Sequence, residues 1–476
     1  VVGWVTIAIR RLYFHPLSRF PGPRLAAISN VPYCLGYLGG RQPWKMLDLH
    51  KRYGRVVRIS PTELSFDTAQ SWKDIYGQRK GHLPFIKSAF YDGGNFADQA
   101  HSIVSERDPT KHADMRRYLS NAFSDRSLRE QEHLISSNVD AFIKRIGELG
   151  SKPEGINLTL WFNLLTFDII GNLAFGQTFG GIESGKTHTW IQVVLESMGQ
   201  ASLSDTLGRF PWLARLYMKW NPGWLDKLMS GAEKHQSYTL TLLRSRLSQN
   251  TDRKDFMSYL MKEDDHKTTS EIQLAAHASD FVIAGSETTA TTLAVIVYYM
   301  CAQQDIMQKL QQEIRSSFQK FEDIDSMSTA NLRYLQAVCM EGLRIIPPLP
   351  LGLPRVVPPG GDTVDGEYIP AGTIVSTNPM AATLSEKNFA NPKEFDPERW
   401  MLANTTDKLE ASQPFSHGTR ACLGRGLGLM ELRTVLTKML FKYNITMKDP
   451  TLDWHQESEM QLLWKKPALK VKITSV

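Results

Sequence analysis

The strongest restriction on the fold is a helical pattern of about thirty residues that carries polar residues at its centre. Apolar residues recur every three or four positions up to Met300, and Thr268 with Glu271 suits a capping box at its start. Such a helix is about 45 Å long and must cross the whole molecule. Its centre, "AGSETTATT", places Gly285 where glycine costs about 1 kcal/mol relative to alanine. Either this centre is a locally solvated kink, or its small residues let a bulky ligand approach while an acid beside hydroxyls relays protons.

The other patterns predict a mainly α protein with small β-sheets. Amphipathic helical spacing dominates residues 44–318, for example in "EQEHLISSNVDAFIKRIGEL". Strand-like segments are short and lie within residues 54–66, 362–378 and 469–476. A chain of 476 residues can hold several domains, but no internal repeat or low-complexity linker divides this one. We therefore predict a single large helical domain.

The composition argues against several classes of protein. The four cysteines, at positions 34, 301, 339 and 422, form no C-x-x-C or C-x-x-C-H pattern, which speaks against a disulfide scaffold, a zinc finger and a c-type haem attachment. The net charge of +6 is spread along the chain without long basic runs, so nucleic-acid binding is not expected. A reducing, cytosol-facing location fits these cysteines best.

Cys422 stands alone in "FSHGTRACLGRGLGLM", between a Gly–Thr–Arg turn and an apolar helix. A lone cysteine in this setting is either a buried small hydrophobe or a working thiolate. Upstream, Glu341 and Arg344 form an i, i+3 pair on a helix that a proline-rich turn ends at Pro347. Arg399, in the turn-rich segment "FANPKEFDPERW", is available to join that pair.

The segment "GGIESGKT", Gly180 to Thr187, matches the phosphate-binding pattern G-x-x-x-x-G-K-[ST]. That pattern needs a buried strand before it, whereas the preceding "LWFNLLTFDIIGNLAFG" has helical spacing. We predict a polar loop between helices here. A nucleotide triphosphatase is the alternative.

The first residues, "VVGWVTIAI", form a short apolar run before Arg10–Arg11, which gives about 14 Å of helix against a hydrocarbon core of about 30 Å. We interpret residues 1–20 as the remnant of an N-terminal membrane anchor with its linker, and residues 21–476 as the catalytic domain. A frayed apolar terminus is the alternative. Pro21-Gly22-Pro23 is expected to form a stiff elbow between the two parts.

Together, these segments resemble four motifs of the cytochromes P450, the haem-thiolate monooxygenases, in the family's order. Phe415, Gly418, Arg420, Cys422 and Gly424 match every fixed position of the haem-binding signature F-x-x-G-x-R-x-C-x-G. "AGSETT" resembles the oxygen-activation motif, and the E-x-x-R pair and "PERW" resemble two others. The resemblance covers essentially the entire chain and implies the P450 fold, with small β-sheets around a buried haem. The segment "YFHPLSRFPGPRLAA" further resembles microsomal enzymes of filamentous-fungal secondary metabolism of the isotrichodermin hydroxylase-like type.

The resemblance implies roles for individual residues. Cys422 would be the axial thiolate of haem b, and the helix that follows is expected to lower the pKa of its thiol. Phe415 would shield the sulfur, and Gly418 and Gly424 would let the backbone approach the macrocycle. Where the family often has W-x-x-x-R, this chain has "KHADMRR". The candidate partners of the haem propionates are therefore His112, Arg116, Arg355 and Arg420.

The remaining roles follow from the same resemblance. Thr288 would handle protons during oxygen activation, with Glu287 relaying them from solvent. Glu341, Arg344 and Arg399 would form a structural network near the thiolate side of the haem. The expected substrate pocket is apolar and comprises Phe281, Val282, Ala284, Gly285, Leu349, Leu351 and Leu353.

The implied reaction is oxidation of a lipophilic terpenoid, polyketide or alkaloid by O2, with NADPH electrons that arrive through cytochrome P450 reductase, and with cytochrome b5 as a further partner. Lys438 and Lys442 are candidate contacts for an acidic reductase surface. The expected enzyme is a monomer on the endoplasmic reticulum membrane, with its catalytic domain facing the cytosol. An isomerase or dehydratase of the same fold that needs no O2 is the alternative, although the intact Glu287–Thr288 pair weighs against it.

Overall fold

A single 32-residue helix, Glu271–Ala302, forms the centre of the fold, and most of its residues are buried. The computed structural model describes residues 2–94, 100–198, 201–220, 223–249, 252–263 and 269–476. The long helix packs most extensively against helix Leu158–Phe175. Both helices are long and apolar enough to cross a membrane, but they lie mostly inside the protein, as core helices do.

The described elements are largely helical, as predicted. The α-helices are α1 (Val2–Ile9), α2 (Arg24–Ile28), α3 (Val31–Leu38), α4 (Gln42–Tyr53), α5 (Ala69–Tyr76), α6 (Pro109–Ser120), α7 (Asp125–Gly150), α8 (Leu158–Phe175), α9 (Gly181–Ser184), α10 (Thr189–Met198), α11 (Ala201–Arg209), α12 (Pro211–Trp220), α13 (Gly223–Leu247), α14 (Phe256–Glu263), α15 (Glu271–Ala302), α16 (Gln304–Ser317), α17 (Ser326–Thr329), α18 (Arg333–Ile345), α19 (Pro379–Thr383), α20 (Arg425–Lys442) and α21 (Trp454–Glu457).

The strands are short and form small sheets. They are β1 (Val56–Ser60), β2 (Glu63–Phe66), β3 (Ile86–Lys87), β4 (Ile156–Asn157), β5 (Arg355–Val356), β6 (Asp362–Val364), β7 (Glu367–Ile369), β8 (Ile374–Thr377), β9 (Tyr443–Met447), β10 (Glu459–Met460), β11 (Trp464–Lys465) and β12 (Lys470–Ser475). The largest sheet has the order β1-β2-β8-β5-β3, with β2 and β8 parallel and the other pairs antiparallel. The three strand-like segments of the sequence all contain strands, so that prediction is confirmed.

The polar centre of α15 does not interrupt the helix. The hydroxyls of Thr288, Thr291 and Thr292 donate to carbonyl oxygens four residues earlier, at 2.7, 2.6 and 2.9 Å. Thr291 and Thr292 are buried, so the alternative of a locally solvated kink is wrong. Ser270 caps the helix by accepting the backbone N–H of Gln273. The predicted cap at Thr268 lies outside the described residues.

The glycine-rich loop from Gly180 to Thr187 is built around a carboxylate of the chain itself. Asp168, on α8, accepts backbone N–H groups of Phe179, Gly181 and Ile182 at 2.9, 3.1 and 2.8 Å. These amides would face a phosphate in a nucleotide site, and α8 stands where that site needs a strand. The nucleotide triphosphatase alternative is therefore excluded, and the predicted inter-helix loop is confirmed only in part, because Gly181–Ser184 form the short helix α9.

The N-terminal segment begins with exposed apolar residues and ends with residues that are buried against the rest of the protein. Val2 and Trp4 on α1 are 81% and 74% exposed, whereas Leu17 and Phe20 are buried in the smaller core cluster beside β1 and β2. The backbone N–H of Arg58 donates to the carbonyl of Pro21 at 2.7 Å. A Cβ atom on Gly22 would lie 2.4 Å from the carbonyl oxygen of Arg58, so only glycine allows this close approach.

Candidate active site

A cavity of about 350 Å³ lies inside the molecule and is lined by segments far apart in the sequence. Helix α15 contributes Thr288, and the turn before α20 contributes Cys422. Most of the other lining side chains are apolar, and a cluster of cationic side chains forms part of the wall. Enclosure by apolar groups with few polar ones is typical of a site that binds a cofactor and a small molecule.

The turn before α20 presents the sulfur of Cys422 to this cavity. The backbone N–H of Cys422 donates to the carbonyl of Phe415 at 2.8 Å, which closes the turn. Gly418 has φ +73°, and a Cβ atom there would lie 2.0 Å from the carbonyl oxygen of Tyr76. Gly418 therefore serves the contact with α5 and is not among the cavity-lining residues, and its approach to a macrocycle stays a prediction. Gly424 does line the cavity, beside Cys422.

The protonation of Cys422 differs from the sequence-based expectation. Protein surrounds the thiol, although its free surface opens into the cavity, and this burial raises its pKa. The N–H of Gly424 and the guanidinium groups of Arg116 and Arg425 oppose the effect but do not overcome it. The predicted effect of the following helix is therefore present in the N–H of Gly424, but in the protein alone burial outweighs it and the pKa is raised. A bound metal ion would be needed to hold the thiolate.

A cluster of cations lines the cavity without matching carboxylates. Arg116, Arg355, Arg420 and Lys87 belong to it, and Asp280 is the one acid among the described lining residues. Burial and the neighbouring Arg420 and Arg355 lower the pKa of Lys87 to about 6. Such mutual repulsion indicates a place for an anionic group.

His112 belongs to the same cluster. Burial, followed by Arg420, Lys87 and Arg116, lowers its pKa to about 3, so the ring is neutral and one nitrogen can donate a hydrogen bond. Lys87 was not predicted. It reaches the cluster because β3 pairs with β5, which sets Lys87 directly beside Arg355.

These residues fit haem b. A cysteine sulfur in the cavity wall suits the iron, and the cation cluster suits the two propionate carboxylates. Phe415 also lines the cavity, and its shielding of the sulfur stays a prediction. Arg116 also donates to the carbonyl of Ala421 at 2.6 Å, which ties α6 to the cysteine turn.

The acid beside Thr288 lies in a buried ion pair. Thr288 lines the cavity, but Glu287 does not. The Glu287 carboxylate accepts from Asn163 Nδ2 at 2.8 Å and pairs with the Lys466 ammonium, and both charged side chains are 4% exposed. Lys466 also donates to Thr291 Oγ1 at 3.2 Å. Protein encloses this carboxylate, so the relay of protons from solvent through Glu287 stays a prediction.

Six of the seven predicted pocket residues line the cavity: Phe281, Ala284, Gly285, Leu349, Leu351 and Leu353. Val282 does not, and it is fully buried in the core. The reason is helical geometry, since each residue turns the side chain by about 100° and Val282 leaves the face that Phe281 and Gly285 share. Gly285 also packs against α8, where a Cβ atom would lie 3.1 Å from Ile170 Cδ1.

The predicted Glu341, Arg344 and Arg399 form one buried network. Arg344 donates to both Glu341 oxygens at 2.8 and 2.7 Å, and Arg399 Nε donates to Oε1 at 3.1 Å. Trp400 Nε1 and the backbone N–H of Asp396 donate to the same carboxylate at 2.8 Å each. The network joins α18 to the segment that precedes the cysteine turn.

Glu431 on α20 is a buried acid that the sequence did not single out. One of its oxygens has no hydrogen-bond partner, and burial raises its pKa to about 8, against an opposing contact with Thr289. The unfolded chain releases this proton near its ordinary pKa of about 4.3. Between these values the folded state binds more protons, so the stability falls as the pH rises.

We expect Glu431→Gln to weaken this pH dependence, because a neutral amide binds no proton. The drop in denaturation temperature from about pH 5 to about pH 8 should be smaller in the variant than in the original protein. The exposed control Glu154→Gln should leave the drop unchanged. Equal drops in all three proteins would contradict a protonated Glu431.

The fold and this site define a haem-thiolate enzyme. The sequence model of the family Cytochrome P450 matches residues 21–473, and the chain belongs to this family. It is 53% identical over 439 residues to the "Cytochrome P450 monooxygenase ORF11" of Penicillium roqueforti (strain FM164), with 92% of this chain and 91% of the relative covered. It is 42% identical to the "Cytochrome P450 monooxygenase BipB" of Cochliobolus sativus over 98% of this chain and 93% of that protein. The predicted family, fold and enzyme class are thereby confirmed: the chain is a P450 monooxygenase.

Proposed function

We propose that this chain oxidises a lipophilic natural-product intermediate of fungal secondary metabolism, such as a terpenoid, polyketide or alkaloid. The observation that carries the proposal is the mostly apolar cavity, whose lining includes both Cys422 and Thr288. Its fungal relatives of similar length support it. The oxidation is a hydroxylation, an epoxidation or a desaturation.

The protein residues hold the cofactor and control protons. Haem b, once bound, supplies the oxidation of substrate by O2. Cys422 would hold the iron, and Arg116, His112, Arg355 and Arg420, with Lys87, would hold the carboxylates. Thr288 lines the cavity with its hydroxyl donating to the carbonyl of Ala284 at 2.7 Å, so its oxygen can accept a proton there and its own proton is free to donate only after the hydroxyl rotates. The apolar wall excludes water and presents one carbon of the substrate.

Proton delivery to Thr288 depends on the buried pair next to it. Glu287 is the acid next to Thr288 on α15, and Lys466 together with Asn163 holds its carboxylate in one orientation. Lys466 is a positioning residue in this scheme, since it touches Glu287, Asn163 and Thr291 but not the cavity.

We expect Lys466→Met to lower the fraction of consumed NADPH that ends in product about tenfold or more. The substitution leaves a buried carboxylate without its cation, so the orientation of the proton donor is lost. Product and NADPH are measured in the same reaction with equal haem content. Lys466→Arg should restore much of the yield. A normal yield in Lys466→Met would refute this role.

Electrons come from NADPH through a reductase, with cytochrome b5 as an additional donor, and the enzyme works as a monomer at the endoplasmic reticulum membrane. The exposed apolar residues of α1, together with exposed Trp212 and Trp220 on α12, support contact with a membrane. Lys438 was expected to meet the reductase, but its ammonium is buried and pairs with Asp140 at 2.5 Å. That expectation is wrong. Lys442 lies over the ring of Phe321.

The test is to incubate the haem-loaded enzyme with reductase, NADPH and isotopically labelled O2, using an extract of the source organism as substrate. Label in a new product, seen by mass spectrometry only with NADPH, is the expected result. A new NADPH-dependent product without label would indicate desaturation. A product that forms without NADPH would favour the O2-independent isomerase and refute the proposal.

A further inference from the structure

One polar position in the cavity lies away from the cysteine turn. Asp280, on α15, is partly buried, and its remaining surface opens into the cavity. Its Oδ2 accepts the backbone N–H of Val104 at 3.2 Å, and the Ser102 side chain hydrogen-bonds to the carboxylate. A carboxylate can accept about four hydrogen bonds, so these two contacts leave acceptor capacity for a ligand.

Lys87, a neighbouring lysine, does not occupy the free acceptor positions of the Asp280 carboxylate. The ammonium of Lys87 donates to the carbonyls of Ile103 and Val104 at 2.9 and 2.7 Å, and no hydrogen bond joins it to Asp280 among the described contacts. Lys87 interacts electrostatically with Asp280 as well as with Arg420 and Arg355 of the cation cluster. The guanidinium groups of Arg355 and Arg420, which already lower the pKa of Lys87, disfavour a cationic group on a ligand at this position. A neutral donor, such as a hydroxyl, suits the site better.

Helical periodicity aligns Asp280 with the catalytic threonine. Asp280, Ala284 and Thr288 stand four residues apart and line the same cavity, so they form one stripe on α15. Eight residues of helix separate Asp280 from Thr288 by about 12 Å. Ala284 between them is open to the cavity and small, which leaves a groove along the helix between the two polar ends.

We propose that Asp280 anchors a hydroxyl group of the substrate, about 12 Å along the helix from the Thr288 end of the cavity where oxidation takes place. This inference rests on the proposed function and narrows it. The substrate is an alcohol, the product of an earlier oxygenation or hydration, and not a plain hydrocarbon. The Asp280 carboxylate accepts the hydroxyl proton in a hydrogen bond and so fixes which carbon is presented.

Imidazoles with alkyl chains measure this distance, because the ring coordinates haem iron and the chain extends along the cavity. Two series are compared over increasing chain length, one ending in hydroxyl and one in methyl, by the shift of the haem absorption band. We expect the hydroxyl series to bind roughly tenfold more tightly than its methyl partner once the chain spans about 12 Å, and to show no such preference at shorter lengths. Chains ending in carboxylate should not gain.

Two substitutions at Asp280 and a control at Phe281 distinguish loss of hydroxyl recognition from disruption of the neighbouring loop. Asp280→Leu should remove the hydroxyl preference at the favoured length. Asp280→Asn keeps an oxygen that accepts the backbone N–H of Val104, so the segment around Val104 should keep its structure. The NH2 group of the new amide should favour chains that end in a ketone. Phe281→Leu, one residue along, should change both series equally. A hydroxyl preference that persists in Asp280→Leu, or is absent at every length, would overturn the anchor.

The outcomes also separate this inference from the proposed function. If the protein takes up no haem, the haem site and the proposed function fail, and the anchor fails with them. If imidazoles bind and labelled product forms, but hydroxyl and methyl chains bind alike, only the anchor fails. Stronger binding of carboxylate chains would assign Lys87 as the anchor instead and refute the role of Asp280.

Discussion

Replacing Cys422 with alanine is expected to abolish monooxygenation, because this side chain is the one sulfur among the described cavity-lining residues. Without it, iron has no thiolate ligand, and donation of electron density to iron is lost. The reduced, carbon monoxide-treated protein should lack the absorption band characteristic of a thiolate ligand. Activity should fall to the background of free haem.

The control for this substitution is Cys339→Ala. Cys339 is fully buried on α18 and does not line the cavity, so its replacement removes a sulfur and creates a small packing defect only. This variant should bind haem with the thiolate band intact. Retention of that band in Cys422→Ala would mean that another residue ligates the iron and that the assignment of the site is wrong.

The sequence predicted those parts of the site that depend on local spacing. The F-x-x-G-x-R-x-C-x-G segment places Cys422 and Arg420 within three residues, and a short turn delivers both to the cavity. Thr288 and Ala284 are one helical turn apart, so they share a face. The prediction of Val282 as a pocket residue did not match the cavity lining, because neighbours in the sequence point in different directions on a helix. The Val282 side chain turns into the core.

The missed residues depend on contacts between distant segments. Lys466 meets Glu287 across 179 positions, and Lys87 meets Arg355 through a two-residue strand. Neither lysine has a local pattern that distinguishes it from an ordinary surface lysine. The physical signal appears only after folding, when their charges are buried together with a partner or a ligand.

The phosphate-loop pattern is a case in which a local motif is present but its usual function is not. Gly180 to Thr187 has the correct letters, yet the amide groups of the loop bind the Asp168 carboxylate. Burial raises the pKa of Asp168, and the backbone N–H donors oppose that effect by stabilising its ionised form. An acid twelve positions before a glycine-rich loop, on a helix, therefore explains the glycines without any nucleotide.

The second large effect is expected at Glu341. Its carboxylate is fully buried and accepts from Arg344, Arg399, Trp400 and the backbone of Asp396. Glu341→Ala would leave two buried guanidinium groups without this partner, at a cost of about 3–5 kcal/mol. That is a large part of a total stability of about 5–15 kcal/mol. We expect little soluble protein, and low haem content in what is recovered.

Glu341→Gln distinguishes charge from hydrogen bonding in this network. The amide oxygen still accepts from one arginine, but its NH2 group faces a second donor, so the variant should fold with a lowered denaturation temperature. The matched control is Glu148→Ala, which breaks an exposed i, i+3 pair with Arg145 that is worth about 0–1 kcal/mol. Because the network joins α18 to the segment before the cysteine turn, haem loss should accompany the loss of stability only in the Glu341 variants. Normal haem content in Glu341→Ala would show that the cysteine turn keeps its geometry without the network.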